Sequence, residues 1–206
     1  MAKKKYELIK NKICLIMAME MESQGVFESR GIYPFYCDIG KVNAAYAALK
    51  AIHDGAKIIL NLGTAGSHRF PTHDIVHVRT FVQRDFDLTP LGMPLGQIPV
   101  DQIPGAVDIS FLPNKVTAIC GTGDCFQVGP PKLSCDLVDM EGYAIAKVCA
   151  LEKTPMYSVK YITDGSDENA HNDWRANLKI SSIKLFESLE EFLQTEVIKG
   201  AIHGTK

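Results

Sequence analysis

Acidic side chains follow the ends of predicted strands, where they could exchange protons with a ligand. Glu22 ends the segment AMEME, Asp139 and Glu141 lie in VDMEG, and Asp164 lies in ITDGSD. Ligands of open α/β sheets bind at the carboxyl ends of strands, and carboxylates placed there can serve as general acid and general base. Taken singly, Glu22 also fits the first turn of a helix, and Asp139 and Glu141 fit helix caps. Asp164 likewise fits an Asx turn.

Two segments that contain glycine, NLGTAG and GTGDCF, also follow strands. Gly63 and Gly66 in the first segment would let the backbone approach a ligand closely. Neither segment matches GxGxxG or GxxxxGK[ST], so neither predicts a dinucleotide site or a P-loop. His73 and His77 are predicted to share one face of a strand and could bind a metal, but no third ligand stands near them, so we predict no metal site.

Strands alternate with helices along the chain, and this alternation predicts an α/β fold. In the last predicted helix, Ile180, Ile183, Phe186, Leu189 and Phe192 recur at every third position and predict one apolar stripe. Residues 85–104 hold four prolines and two glycines and predict a long loop, which is typical of a functional or partner-binding segment. We predict strands at 12–17, 57–62, 74–82, 115–120 and 156–163, and helices at 43–53, 141–151 and 177–198.

Composition limits the classes of protein to which the chain can belong. It has 206 residues, 46% of them apolar, and a formal net charge of −2 from 24 acidic and 22 basic residues. The apolar fraction excludes a disordered chain, and the balance of charge argues against a nucleic-acid partner. We interpret residues 1–206 as a single domain with a basic N-terminal extension at 1–11.

Sequence features also predict where the protein works in the cell. The short apolar run after the N-terminal lysines lacks a cleavage site, and no stretch is long enough to span a membrane. Six cysteines are dispersed without a CxxC pair, which favours reduced thiols. Together these features predict a cytoplasmic protein with no membrane partner.

The segments AMEME, GKVNAA, NLGTAG, GTGDCF, VDMEG with AIAKVC, and ITDGSD occur in this order between Lys12 and Leu193. As an ordered set they resemble the methylthioadenosine/S-adenosylhomocysteine nucleosidases of the purine nucleoside phosphorylase superfamily. The resemblance implies a central, mixed, twisted sheet flanked by helices. It also implies hydrolysis of the N-glycosidic bond of a 5′-substituted adenosine, with water as co-substrate and without a cofactor.

The resemblance also implies roles for individual residues. Asp164 would protonate N7 of adenine, and Glu22 would activate the attacking water. Glu141, Met140 and Thr64 would hold the ribose.

For the base, the resemblance implies that Phe126 stacks on the purine, that the Gln127 backbone bonds its edge, and that Trp174 covers the site. The loop 85–104 resembles the segment that reaches into a neighbour's pocket, which implies a homodimer.

Several alternatives remain open at the level of sequence. A phosphorylase of the same superfamily would need arginines or a backbone nest for phosphate, and none of the five arginines lies inside the motifs. A non-catalytic nucleoside-binding protein could keep the same fold. Aminofutalosine, adenosine or another 5′-substituted adenosine could be the substrate, since the chain is shorter than is usual in the family and carries Lys160, Gly165 and Ser166 at positions where the family pattern differs.

Overall fold

The computed structural model describes residues 12–103, 105–168 and 170–195, so the predicted extension at 1–11 lies outside the described residues. Within these ranges, all five strands predicted from apolar, β-branched runs are present. Three further strands, of two or three residues each, are too short to show a period in the sequence. The eight strands are β1 (Ile13–Met17), β2 (Phe35–Tyr36), β3 (Ile58–Gly66), β4 (Ile75–Gln83), β5 (Val107–Asp108), β6 (Thr117–Thr122), β7 (Leu137–Asp139) and β8 (Met156–Asp164).

The strands form one mixed sheet, as predicted, with the order β2-β1-β3-β7-β6-β4-β5. Strand β8 pairs in parallel with β3 and antiparallel with β4, and β7 meets β3 at the pair Val138 and Gly66. Strands β3, β8, β4, β6 and β7 therefore close into a ring. All nine residues of β8 are buried, as expected for a strand covered on both faces.

Among the described residues, four α-helices lie beside the sheet: α1 (Glu20–Ser23), α2 (Lys41–His53), α3 (Gly142–Leu151) and α4 (Ala170–Gln194). The buried face of α2 is made of four alanines, whose small side chains let the helix lie close to its neighbours. It shares one hydrophobic cluster with α3, whereas α4 contributes Leu185, Phe186, Leu189 and Phe192 to a second cluster. Helices thus cover the sheet as the α/β prediction requires.

The apolar stripe predicted for the last helix is wrong at its first two positions. Ile180 and Ile183 are 47% and 44% exposed, whereas Leu178, Ser181 and Leu185 are buried. Steps of three residues fall short of a full turn of about 3.6 residues, so a series at every third position winds around the helix. Helix α4 also begins seven residues before the predicted start, and the predicted end at Ile198 lies outside the described residues.

The prediction that His73 and His77 share one face of a strand is wrong. β4 begins only at Ile75, and His73 lies before it with a left-handed φ of 80° and its Nδ1 against the hydroxyl of Tyr161. His77 is in β4, where burial lowers its pKa to about 4. No group of three potential metal ligands occurs among the described residues.

The segment 85–104 is a long loop over its described part, as predicted, with one short 3₁₀ turn at Thr89–Leu91. All six cysteines are free thiols, and Cys125 is the exposed one. Within the described ranges, no helix combines the length and the apolar character that crossing a bilayer requires.

Candidate active site

A cavity of about 220 Å³ opens where β1, β3, β7 and β8 end. The three carboxylates of Glu22, Glu141 and Asp164 all line it, so side chains from distant parts of the sequence do converge on one pocket. Each of the three is at least nine-tenths buried. All eight residues predicted to form the site lie on the wall: Glu22, Thr64, Phe126, Gln127, Met140, Glu141, Asp164 and Trp174.

Glu22 is held in a fixed orientation by hydrogen-bond donors on both of its oxygens. Oε2 accepts from the backbone N–H groups of Ala18 and Met19 at 3.0 and 3.3 Å. Oε1 accepts from the N–H and the hydroxyl of Thr64, both at 2.9 Å. The Thr64 hydroxyl in turn accepts from the indole N–H of Trp174 at 3.1 Å. Trp174 is therefore anchored to the residue that orients Glu22.

The glycines of NLGTAG make room for side chains at the cavity. A Cβ on Gly63 would lie 3.2 Å from Glu22 Oε1 and 3.6 Å from Lys160 Nζ. A Cβ on Gly66 would lie 2.7 Å from Asp164 Oδ1 and 2.2 Å from Ser166 Oγ, distances that real Cβ atoms do not adopt. The sequence predicts that these glycines let a ligand approach the backbone. The atoms nearest to them in the structure belong instead to side chains of the protein.

Asp164 ends β8 directly after an irregularity in the strand pairing. Ala65 pairs with Ile162 and Gly66 with Asp164, so Thr163 is one extra residue at this point. Such bulges often re-aim side chains next to active sites. Burial raises the pKa of Asp164, although the hydroxyl of Thr163 (2.7 Å) and the N–H of Ser166 (2.9 Å) donate to it and partly lower that pKa.

Glu141 precedes α3, and its Oε1 accepts from the backbone N–H of Gly40 at 2.9 Å. Burial, together with the negative charge of Asp139, raises the pKa of Glu141 to about 8, and Lys160 acts in the opposite direction. Burial and the charge of Asp139 thus disfavour the ionised form of this carboxyl.

A buried ion pair lies behind the cavity wall. Lys160 Nζ is 2.9 Å from Asp139 Oδ2, and both side chains are almost inaccessible to solvent. Asp139 also accepts hydrogen bonds from the hydroxyl of Thr122 and the N–H of Gly142. With Glu141 and Glu22 close by, Lys160 is the cation that balances this group of carboxylates.

Phe126 and Gln127 also form part of the cavity wall. Phe126 is 53% exposed although it is a large aromatic residue, and it lines the cavity. No other group in the described part of the chain bonds the backbone N–H or C=O of Gln127. An exposed ring beside unpaired backbone groups can hold a flat heteroaromatic ligand.

Arg84 is the functional residue that sequence reasoning missed. It lines the cavity although only 6% of its surface is exposed. It was set aside because it lies outside the motifs. Its place immediately after β4, whose carboxyl end lies beside that of the parallel strand β6, is the signal that could have identified it.

Comparison with known proteins identifies relatives of this chain. A family model described as the phosphorylase superfamily matches residues 6–121 and 127–194. A 5′-methylthioadenosine/S-adenosylhomocysteine nucleosidase from Buchnera aphidicola is 30% identical over 182 residues, covering 78% of this chain and 77% of that protein. An aminodeoxyfutalosine nucleosidase from Campylobacter jejuni is 30% identical over 160 residues, covering 68% and 70%.

A solved structure shows the same fold. A mutant of the Helicobacter pylori nucleosidase with 5′-methylthioadenosine in its active site superposes with a TM-score of 0.76 at 22% identity, covering 88% of this chain and 98% of the other. The mixed, helix-flanked sheet is thus the phosphorylase-type fold, and the fold predicted from the sequence is confirmed.

Replacing Lys160 by Met should lower the free energy of unfolding by about 3–5 kcal/mol, because it leaves the buried Asp139 without its counterion. Urea denaturation at pH 7 measures this. Lys50→Met is the matched control, since Lys50 pairs with Asp54 on the surface, where loss of an ion pair should change stability far less. Equal effects of the two substitutions would contradict the role of Lys160.

Proposed function

Because this chain belongs to the phosphorylase superfamily and, within it, to the family of 5′-methylthioadenosine/S-adenosylhomocysteine nucleosidases, we propose that it hydrolyses the bond between adenine and ribose in a 5′-substituted adenosine. The observation that carries the proposal is the convergence of three buried carboxylates on one cavity. Such a reaction passes through a cationic, oxocarbenium-like sugar, which neighbouring carboxylates stabilise.

Asp164 is the general acid that protonates N7 of the leaving adenine. A carboxyl group can donate a proton near neutral pH only if its pKa is raised, and burial raises the pKa of Asp164. Its two bonded donors, Thr163 and Ser166, fix the direction in which the carboxyl points. Protonation of the base weakens the glycosidic bond at the moment it breaks.

Glu22 orients and activates the attacking water. Four donated hydrogen bonds hold its carboxylate still, so little reorganisation is needed when the water loses its proton. Thr64 and Trp174 extend this network along the wall. Glu22 in α1 and Asp164 at the end of β8 line the cavity from different elements, so one can serve as base and the other as acid.

Glu141, Met140 and Thr64 hold the ribose. Burial and the charge of Asp139 raise the pKa of Glu141 and so disfavour its ionised form. Sugar hydroxyls that donate to the carboxylate, and the positive charge that develops on the ring, both favour its ionised form. Binding and bond cleavage therefore draw Glu141 toward the charged state that stabilises the transition state.

Adenine stacks on Phe126 and bonds the backbone of Gln127. Stacking on an aromatic ring contributes about 1–3 kcal/mol per base, and the exposed ring of Phe126 is available for it. The unpaired backbone groups of Gln127 match the donor and acceptor on the edge of adenine. Trp174 covers the pocket from the side of Thr64.

Water, rather than phosphate, is the nucleophile. The guanidinium of Arg84 is already bonded to protein carbonyls and to Gln127, and Lys160 is paired with Asp139. The N-terminal amides of α2, which could otherwise bind an anion, donate to Glu141 and Asp124. Arg84 and Lys160 are thus already engaged by protein acceptors, which disfavours a phosphate ion in the cavity.

Base release from a panel of nucleosides, with and without phosphate, tests this function. Methylthioadenosine, S-adenosylhomocysteine, aminodeoxyfutalosine and adenosine are incubated with the protein, and adenine and free sugar are quantified by chromatography. We expect equal rates in both buffers and free sugar as the second product. Strict dependence on phosphate would identify a phosphorylase, and tight binding without release would identify a nucleoside-binding protein.

Asp164→Asn should lower kcat at least about 100-fold and leave nucleoside affinity within about tenfold, because it removes a proton donor from the transition state but keeps the shape of the ground-state contact. Steady-state kinetics and calorimetry measure the two quantities. Asp54→Asn, an exposed substitution beyond the cavity, is the control. An unchanged kcat in Asp164→Asn would exclude Asp164 as the acid.

We also propose a homodimer in which the loop 85–104 completes the pocket of the partner. Ile39 on the cavity wall, Val42 and Tyr46 on α2, and Leu91 in the loop are apolar and exposed. Val42 and Tyr46 are four residues apart, so they lie on one face of the helix. An exposed apolar patch of this kind is typical of an interface.

Sedimentation equilibrium should give twice the chain mass. Val42→Glu combined with Tyr46→Glu should shift it to the monomer, because two charges would have to be buried in the interface. Val116→Glu, at an exposed apolar residue away from the cavity, is the control and should leave the dimer intact. A monomeric unsubstituted chain would refute the dimer.

The remaining assignments are proposals of the same kind. One continuous sheet with a hydrophobic cluster on either side supports a single catalytic domain. A cytoplasmic location and a part in methionine salvage stay predictions from the sequence and its resemblance.

A further inference from the structure

The base-binding segment of the pocket has no regular secondary structure of its own. From Gly123 to Asp136 the chain contains neither helix nor strand, yet it carries Phe126 and Gln127. A stacking platform needs a fixed position to contribute to binding. Side chains from elsewhere must therefore hold this segment in place.

The guanidinium of Arg84 bonds successive positions along that segment. Nε donates to the carbonyl of Gly121 at 3.2 Å, and Nη2 donates to the carbonyls of Gly123 at 3.4 Å and Cys125. Nη1 donates to Gln127 Oε1 at 2.8 Å and to Cys125 Sγ at 3.3 Å. One planar group thus satisfies acceptors at every second residue from 121 to 127.

The glycines of GTGDCF leave the space that Arg84 occupies. A Cβ on Gly123 would lie 2.9 Å from both Cζ and Nη1 of Arg84, and a Cβ on Gly121 would lie 3.3 Å from the Cβ of Arg84. The two glycines and the arginine are therefore one packing unit, although they are far apart in sequence.

Asp85, the next residue, holds the opposite side of the same segment. Its Oδ2 accepts from the backbone N–H of Asp124 at 2.8 Å, and its Oδ1 pairs with Lys41 Nζ at 2.6 Å. The N–H of Lys41 donates to Asp124 Oδ1 at 2.8 Å. Arg84 thus binds carbonyls of the segment while Asp85 binds one of its amides.

We propose that Arg84 and Asp85 are positioning residues that hold the segment 121–127 in the conformation that binds the purine. This inference rests on the proposed function, because it takes Phe126 and Gln127 as the adenine site. Since Asp85 is the first residue of the loop 85–104 and Arg84 directly precedes it, we expect displacement of that loop to displace the base platform as well.

The clamp formed by Arg84 and Asp85 acts on binding of the base rather than on chemistry. Neither residue bonds Glu22, Glu141 or Asp164. Lysine cannot replace arginine here, because an ammonium is a point donor and cannot reach several acceptors in one plane.

The test compares three variants, Arg84→Lys, Arg84→Met and Asp85→Ala, with the unsubstituted protein. The control variant is Arg79→Met, which replaces an exposed arginine in β4. Adenine affinity is measured by calorimetry, and KM, kcat and the pH profile are measured with methylthioadenosine. Loss of hydrogen bonds from a charged donor should weaken adenine binding and raise KM about 10- to 100-fold for both Arg84 variants and about 3- to 10-fold for Asp85→Ala. We expect kcat within about threefold of the unsubstituted enzyme and an unchanged pH profile, because the acid and the base are untouched.

Deuterium exchange of the amides at 121–129 supplies a readout that is independent of activity. It should accelerate in Arg84→Lys and not in Arg79→Met. If the folded variants keep adenine affinity and KM within twofold of the unsubstituted protein, the proposal is overturned. A decrease in kcat alone would also overturn it. If Arg84→Met does not fold, Arg84→Lys and Asp85→Ala decide.

The two proposals fail in different ways. An unsubstituted protein that neither binds adenine nor releases it would overturn the proposed function and, with it, the assignment of a base platform. An active unsubstituted enzyme whose Arg84 variants bind adenine normally would overturn the clamp alone.

Discussion

Burial of several carboxylates around one ammonium group is the constraint on which the site depends. Glu22, Asp139 and Glu141 are withdrawn from water close to Lys160, and a buried charge is costly unless it is paired and hydrogen-bonded. Their partners differ. Glu22 accepts four hydrogen bonds and Asp139 has the ion pair, whereas Glu141 has the single N–H of Gly40. The pKa of Glu141 is accordingly raised to about 8.

Close packing of side chains against backbone is the second constraint, and it explains why the site is rich in glycine. Gly63 and Gly66 lie against Glu22 and Asp164, and Gly123 lies against Arg84. A Cβ on Gly142 would lie 2.1 Å from the ring of Phe81. In the sequence, these glycine motifs resemble ligand-binding loops. In the structure, the glycines leave space for side chains of the protein itself, in positions that a Cβ would block.

The sequence predicts those parts of the fold and site that depend on local pattern. Long apolar runs identify five strands, and the order of polar residues after them correctly brings Glu22, Glu141 and Asp164 to one cavity. Strands β2, β5 and β7 depend on pairing with neighbours rather than on their own residues, so no period marks them. The role of Arg84 could not be predicted for a related reason. Its guanidinium bonds carbonyls about 40 positions away in the sequence, which come close to it only in the folded chain.

The distribution of donors explains why a cation is stabilised in this cavity and an anion is not. Two cations lie close to it, but Lys160 is bonded to Asp139, and Arg84 is bonded to the segment that carries Phe126. Glu22 and Asp164 are held in place by hydrogen-bond donors of the protein itself. A sugar that gains positive charge therefore meets carboxylate oxygens, whereas the same oxygens would repel an approaching phosphate. We attribute the preference for water over phosphate to the bonds that Lys160 and Arg84 already make, rather than to the number of cations near the cavity.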